Sequence, residues 1–90
     1  MDTYMVVATF KPNTDMRDVF AVVKDELAQV EVLRAEGRIG SIHISIARGK
    51  TFIEIFASDE GSAEATVKTL PLSKWWDLDI YPTTPALPGA

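Results

Sequence analysis

The chain has 90 residues, 47% of them hydrophobic, and a formal net charge of −4, so it forms one domain with no room for a second. That charge leaves no basic surface for nucleic acid or anionic lipid. Cysteine is absent, which excludes disulfides, thiol catalysis and thiolate metal sites and leaves the compartment open.

The apolar run Met5 to Ala8 is too short for the core of a signal peptide. Nothing approaches the roughly 20 apolar residues of a membrane span. The expectation is a soluble, cytoplasmic protein. Thr3 to Phe10 is β-branched and aromatic and reads as a strand, closed by Lys11-Pro12-Asn13. It is apolar on both parities, so both of its faces should be covered. A single long helix should follow, capped by Thr14 or Asp15. Its apolar stripe would be Met16, Phe20, Val23, Leu27, Val30 and Leu33, and Gly37 suits the left-handed position that ends it.

Two strands come next. Ile42, Ile44 and Ile46 alternate with Ser41, His43 and Ser45; after Arg48-Gly49-Lys50, Ile53 and Ile55 alternate with Phe52, Glu54 and Phe56. A tight turn at Gly49-Lys50 would set Arg48 opposite Thr51, Ser45 opposite Glu54 and His43 opposite Phe56, with all five isoleucines on one face. Ser58 or Asp59 should cap a shorter helix with Ala63, Val67 and Leu70 at helical spacing, stopped by Pro71. An aromatic-rich connection from Leu72 to Trp76 leads to a last strand, Asp77 to Tyr81. The domain spans residues 1–82, and residues 83–90 form a proline-rich tail.

The order β-α-β-β-α-β with right-handed crossovers predicts an α+β, ferredoxin-like fold: a four-stranded antiparallel sheet with both helices on one face. The isoleucine face suits the helices. The opposite face would hold Phe52, Phe56, Val6 and Phe10 with nothing in the chain to cover them. Each large apolar side chain contributes about 1.5–3 kcal/mol when buried, so a second copy packed sheet to sheet is expected, making a homodimer.

His43 is the only histidine and falls on the mixed face, diagonal to Glu54. A carboxylate beside an imidazole raises its basicity and orients it, as a general base needs. Glu54, flanked by Phe52, Ile53, Ile55 and Phe56, would lose acidity if buried and so suit proton relay; Glu26, beside Leu27 on the long helix, is a further candidate. The bland alternatives are an interface histidine, an ion-paired glutamate and an exposed helical carboxylate. Trp75, Trp76 and Tyr81 could wall a pocket for a flat ring, or simply pack core and interface. Arg48 could receive a substrate carboxylate by a paired contact. No phosphate-cradling loop, zinc spacing, nucleophile elbow or dinucleotide fingerprint is present, so any catalysis is expected to need no cofactor and no metal.

Several motifs carry a family likeness: Glu26-Leu27-Ala28-Gln29 in the long helix, Glu36-Gly37 at its end, Phe56 in the third strand, and Leu70-Pro71-Leu72 before Asp77-Leu78-Asp79-Ile80. Their order resembles the muconolactone isomerases over about 60 residues, from the long helix to the last strand. The resemblance implies a dimeric α+β barrel, in some members assembled into rings of dimers, and a pocket bounded by sheet and helices. It implies cofactor-independent isomerase or cyclase chemistry on a small cyclic carbonyl or lactone; the residues themselves then suggest His43 as base, Glu54 orienting it or relaying the proton with Glu26 a weaker candidate, and Trp75, Trp76 and Tyr81 as pocket walls with Arg48 for a carboxylate. Related barrels imply two other readings: a monooxygenase or polyketide cyclase acting on an aromatic substrate, and a non-catalytic ligand-binding module.

Overall fold

The computed structural model describes residues 1–86; the tail from 87 to 90 lies outside the described residues. Strand β1 (Asp2–Phe10) alternates through the sheet, with Tyr4, Val6 and Ala8 buried on one side and Met5 and Val7 half-buried on the other. Four antiparallel strands lie in the order β2-β3-β1-β4, with β3 at Lys50–Ala57 and β4 at Trp76–Thr83. The result is an α+β fold compatible with a ferredoxin-like arrangement. No helix among the described residues is long and apolar enough to cross a membrane.

The long helix of the sequence reading is two helices, α1 (Met16–Ala21) and α2 (Val23–Ala35), broken at Val22. Asp15 caps α1 as expected, accepting from the Arg17 N–H at 2.9 Å. At Val22 the backbone leaves the helical region (φ −113°, ψ 5°), and its N–H turns to the Val19 carbonyl at 3.1 Å. The break shifts the phase of the buried stripe. Val19, Glu26, Val30 and Leu33 face the core, while Phe20 and Leu27, both expected inside, are exposed.

Strand β2 (Ile39–Ser45) pairs with β3 four residues away from the expected register: His43 faces Phe52, and Ser45 faces Lys50. The connection is no two-residue turn. A short 3₁₀ turn at Ile46–Arg48 precedes Gly49, which holds φ 63°. An even shift preserves parity, so Ile42, Ile44, Ile53 and Ile55 still share the helix face. Ile46 does not; it stands 91% exposed in the turn.

Between Ile39↔Ile55 and Ile42↔Ile53, two residues of β2 (Gly40, Ser41) oppose one of β3 (Glu54), a β-bulge. The Glu54 carboxylate fills it, accepting from the Ser41 N–H at 3.1 Å, and Arg34 donates to the Gly40 carbonyl at 3.2 Å. A Cβ at Gly40 would run into that carboxylate and come within 3.0 Å of the Phe56 ring. Gly40→Ala is therefore expected to lose about 1–3 kcal/mol by clash and a lost charged hydrogen bond. Urea unfolding checks this; an unchanged midpoint would contradict the role given to the bulge.

Helix α3 (Glu60–Lys68) starts at Asp59, whose carboxylate accepts from the Ser62 N–H at 2.7 Å and is held below the usual aspartate range by that bond. Ala63, Thr66 and Val67 are buried against the sheet. Pro71 opens a 3₁₀ turn, Pro71–Trp75, that delivers the chain to β4. The core joins β1, β2 and β3 to α2 and α3 through Val6, Leu33, Ile39, Ile53, Ile55 and Val67. Val6 and Phe10, expected on the uncovered face, belong to this side: Val6 is fully buried, and Phe10 packs against the core. The uncovered face carries Met5, Val7, Phe52 and Phe56 instead, all half-buried.

Candidate functional site

At one end of the sheet, β1 finishes and β4 begins, with Phe10 opposite Trp76. Here α1, the β2–β3 connection and the Pro71–Trp75 turn enclose a cavity of about 540 Å³. Its wall is almost wholly apolar, built from Phe10, Val19, Phe20, Ile44, Leu72 and Trp76 with Thr51 among them. Met16 and Phe20 of α1, on the far side of the break at Val22, lie exposed at the cavity rim rather than in the core. The volume falls within the range of small-molecule sites.

Besides Ser45, Lys50 and Thr51 in the lining, two buried polar groups adjoin this cavity. Trp76 is 6% exposed, yet its indole Nε1–H has no hydrogen-bond partner among the described residues. A buried donor left unpaired costs about 1–3 kcal/mol; the nitrogen itself is sealed from solvent, so the ring must turn before a ligand acceptor can relieve that cost. The second group is Glu26, buried on α2. Its Oε1 accepts from the N–H of Leu72 in the cavity wall at 2.9 Å. Pro71 has no N–H, so Leu72 supplies the first free amide of the 3₁₀ turn, and Glu26 caps it. Burial pushes the Glu26 carboxyl above its ordinary value of 4.5, and the Leu72 amide only partly opposes this.

The remaining candidates are dispersed. His43 is exposed mid-strand on the uncovered face, as the alternation predicted. Glu54 shares that face, but its carboxylate is spent on the Ser41 N–H and hydroxyl, at 3.1 and 3.4 Å, rather than on the imidazole. His43, now opposite Phe52, is still diagonal to Glu54, but the bulge contact with Ser41 takes the carboxylate in place of the expected pair. Tyr81 is 53% exposed on the same face, opposite Met5. Trp75 is half-buried in the 3₁₀ turn with the Lys74 ammonium 4.4 Å from its ring centre. Arg48 is exposed in the hairpin turn. Of the predicted site residues, Trp76 lines the cavity and Glu26 touches its wall. Among the described residues no cluster of three or more His, Asp or Glu could hold a metal.

Phe10, Val19, Ile44, Thr51 and Leu72 were not singled out from sequence. Their signal is weak, since apolar residues at an element's end look like ordinary core. Trp76 borders a second cavity of about 480 Å³, lined by Lys11, Lys68, Lys74, Glu64 and Asp77. In kind, then, this is a small α+β protein with a half-covered sheet and an apolar cavity at one end. No model of a known protein family matches the chain, and no curated protein matches it either.

Proposed function

We propose that the protein binds a small, flat, largely apolar carbonyl or lactone compound in the cavity beside Trp76 and shifts a proton on it without a cofactor. This is the reading that the likeness to muconolactone isomerases suggests. The observation that carries it is an apolar cavity of about 540 Å³ bounded by a tryptophan whose buried N–H has no partner. After a turn of the Trp76 ring, the indole N–H would donate to the carbonyl oxygen, where charge grows as an adjacent C–H loses its proton. Glu26 would take and return that proton, since burial makes its carboxylate a stronger base than an exposed glutamate. Movement of the Leu72 segment would bring its carboxylate to the cavity. His43 lies across the sheet from this cavity and has no part in the step. A second copy packed on Met5, Val7, Phe52 and Phe56 would cover the open face and complete a homodimer.

The test is a titration of the ¹⁵N-labelled protein with coumarin, a flat aromatic lactone. The Trp76 indole N–H resonance is expected to move together with the amides of Leu72 and Thr51, while the Trp75 indole and His43 stay in place. Millimolar coumarin that leaves Trp76 unmoved would remove the cavity from consideration as a ligand site.

A further inference from the structure

Strand β2 is an edge strand, with β3 on one side and, among the described residues, no strand on the other. The opposite edge, β4, carries Asp77, Asp79 and Pro82, which discourage pairing with another chain. β2 carries one such device, the bulge at Gly40–Ser41, and no charge or proline along its outer side. From Ile39 to Ala47 there is no Asp, Glu, Lys, Arg or Pro, and Ile44 and Ile46 are 68% and 91% exposed.

The strand also reads the same in both directions: Ser41-Ile42-His43-Ile44-Ser45. From Ile42 to Ser45 its pairing with β3 is regular, so the bulge lies behind this stretch. A second strand running antiparallel about a two-fold axis at His43 would set Ser41 against Ser45, Ile42 against Ile44, and His43 against His43. Every pair would match in chemistry: isoleucines on the helix face, hydroxyls and imidazoles on the other. Antiparallel self-pairing of one strand is the isologous contact that a two-fold dimer requires.

We propose that β2 is a homotypic interface through which two copies of this chain join edge to edge over residues 41–45. The occupant is a second copy rather than a foreign strand, because the side-chain order is complementary to itself. The segment has no carboxylate of its own in a chain of net charge −4, and the Glu54 carboxylate beside it is bound by the Ser41 N–H and hydroxyl, so two copies meet there with less like-charge repulsion than elsewhere on the surface. Pairing satisfies the outward backbone groups of β2 and covers Ile44 at the rim of the cavity. It leaves the open face of the sheet free, so the face-to-face packing proposed above and this edge contact are independent.

The chain has no cysteine, so His43→Cys introduces a single thiol at the proposed axis, and Asp79→Cys on the β4 edge is the control. A short bismaleimide is expected to link H43C about 100-fold faster than D79C, since the pairing holds the two thiols at an effective concentration of ~1 mM. A mixture of S41C and S45C should give the crossed dimer in preference to either homodimer. Ile44→Lys added to H43C places charge on the edge while sparing the open face, and is expected to bring the rate down to that of D79C. The proposal is overturned if H43C reacts no faster than D79C with circular dichroism unchanged. A random mixture of S41C and S45C products, or an H43C rate that Ile44→Lys leaves unaltered, overturns it equally.

Discussion

Glu26→Gln is expected to lower the rate of proton exchange on a bound lactone by about 10²- to 10⁴-fold, the usual contribution of a positioned acid–base group. The substitution is suited to the question because glutamine keeps an oxygen for the Leu72 N–H and removes only the titrating proton. The readout is deuterium uptake alpha to the carbonyl of a butenolide in D₂O, followed by proton NMR. His43→Gln serves as the counterpart and is expected to leave that rate unchanged, since His43 faces away from the cavity. Loss of exchange in H43Q with retention in E26Q would reverse the assignment.

The same substitution has a stability consequence of known sign. Burial raises the Glu26 pKa in the folded state above 4.5, so the folded protein holds this proton more tightly than the unfolded chain. Stability from this group is greatest below the unfolded value. It falls as pH rises from about that value through the raised folded one, then levels off. E26Q should flatten this part of the profile and be the more stable protein at neutral pH. Glu26→Leu, which strands the Leu72 amide, is expected to lose about 1–3 kcal/mol instead. Urea titrations at several pH values distinguish the three proteins.

Ile55→Ala is expected to lose about 2–5 kcal/mol, the largest stability effect of any single truncation discussed. Ile55 has no exposed surface and lies on β3 between Tyr4 of β1 and Ile39 of β2. Removing its outer carbons leaves a void that a sheet held on both sides cannot close. For a domain of this size total stability is on the order of 5–10 kcal/mol, so the variant keeps roughly half. The urea midpoint should fall by about 2 M or more, given a slope near 1 kcal/mol/M. Ile46→Ala, in the exposed turn, is expected to stay within about 0.5 kcal/mol of the parent. Similar midpoints for the two would mean that the β3 centre is not the core.

What the sequence made legible follows from local rules. Alternation placed Ile53 and Ile55 inside and His43 and Phe52 on the opposite face, because parity survives any even shift of register. Asp15 and Asp59 announced their helices, and Pro71 marked the end of the last one, since capping and the missing proline N–H act within a few residues. The features that escaped depend on contacts distant in the chain. The bulge at Gly40 exists because the Glu54 carboxylate takes the Ser41 amide, thirteen residues away in sequence. The break at Val22 rotates the buried stripe from Leu27 to Glu26, a choice that helical spacing alone cannot make. Glu26 in turn is fixed by the Leu72 amide, forty-six residues on. The cavity escaped for the same reason, as its wall brings together Phe10, Val19, Ile44 and Leu72 from separate elements.

The central claim, that ligand and chemistry belong beside Trp76, is tested most directly by a crystal structure of the protein with an aromatic lactone bound. The expected result is a flat ring between Phe10, Leu72 and Trp76, with its carbonyl oxygen within hydrogen-bond distance of Trp76 Nε1. A ring seated on the open face beside His43 and Glu54, with the cavity empty, would contradict it.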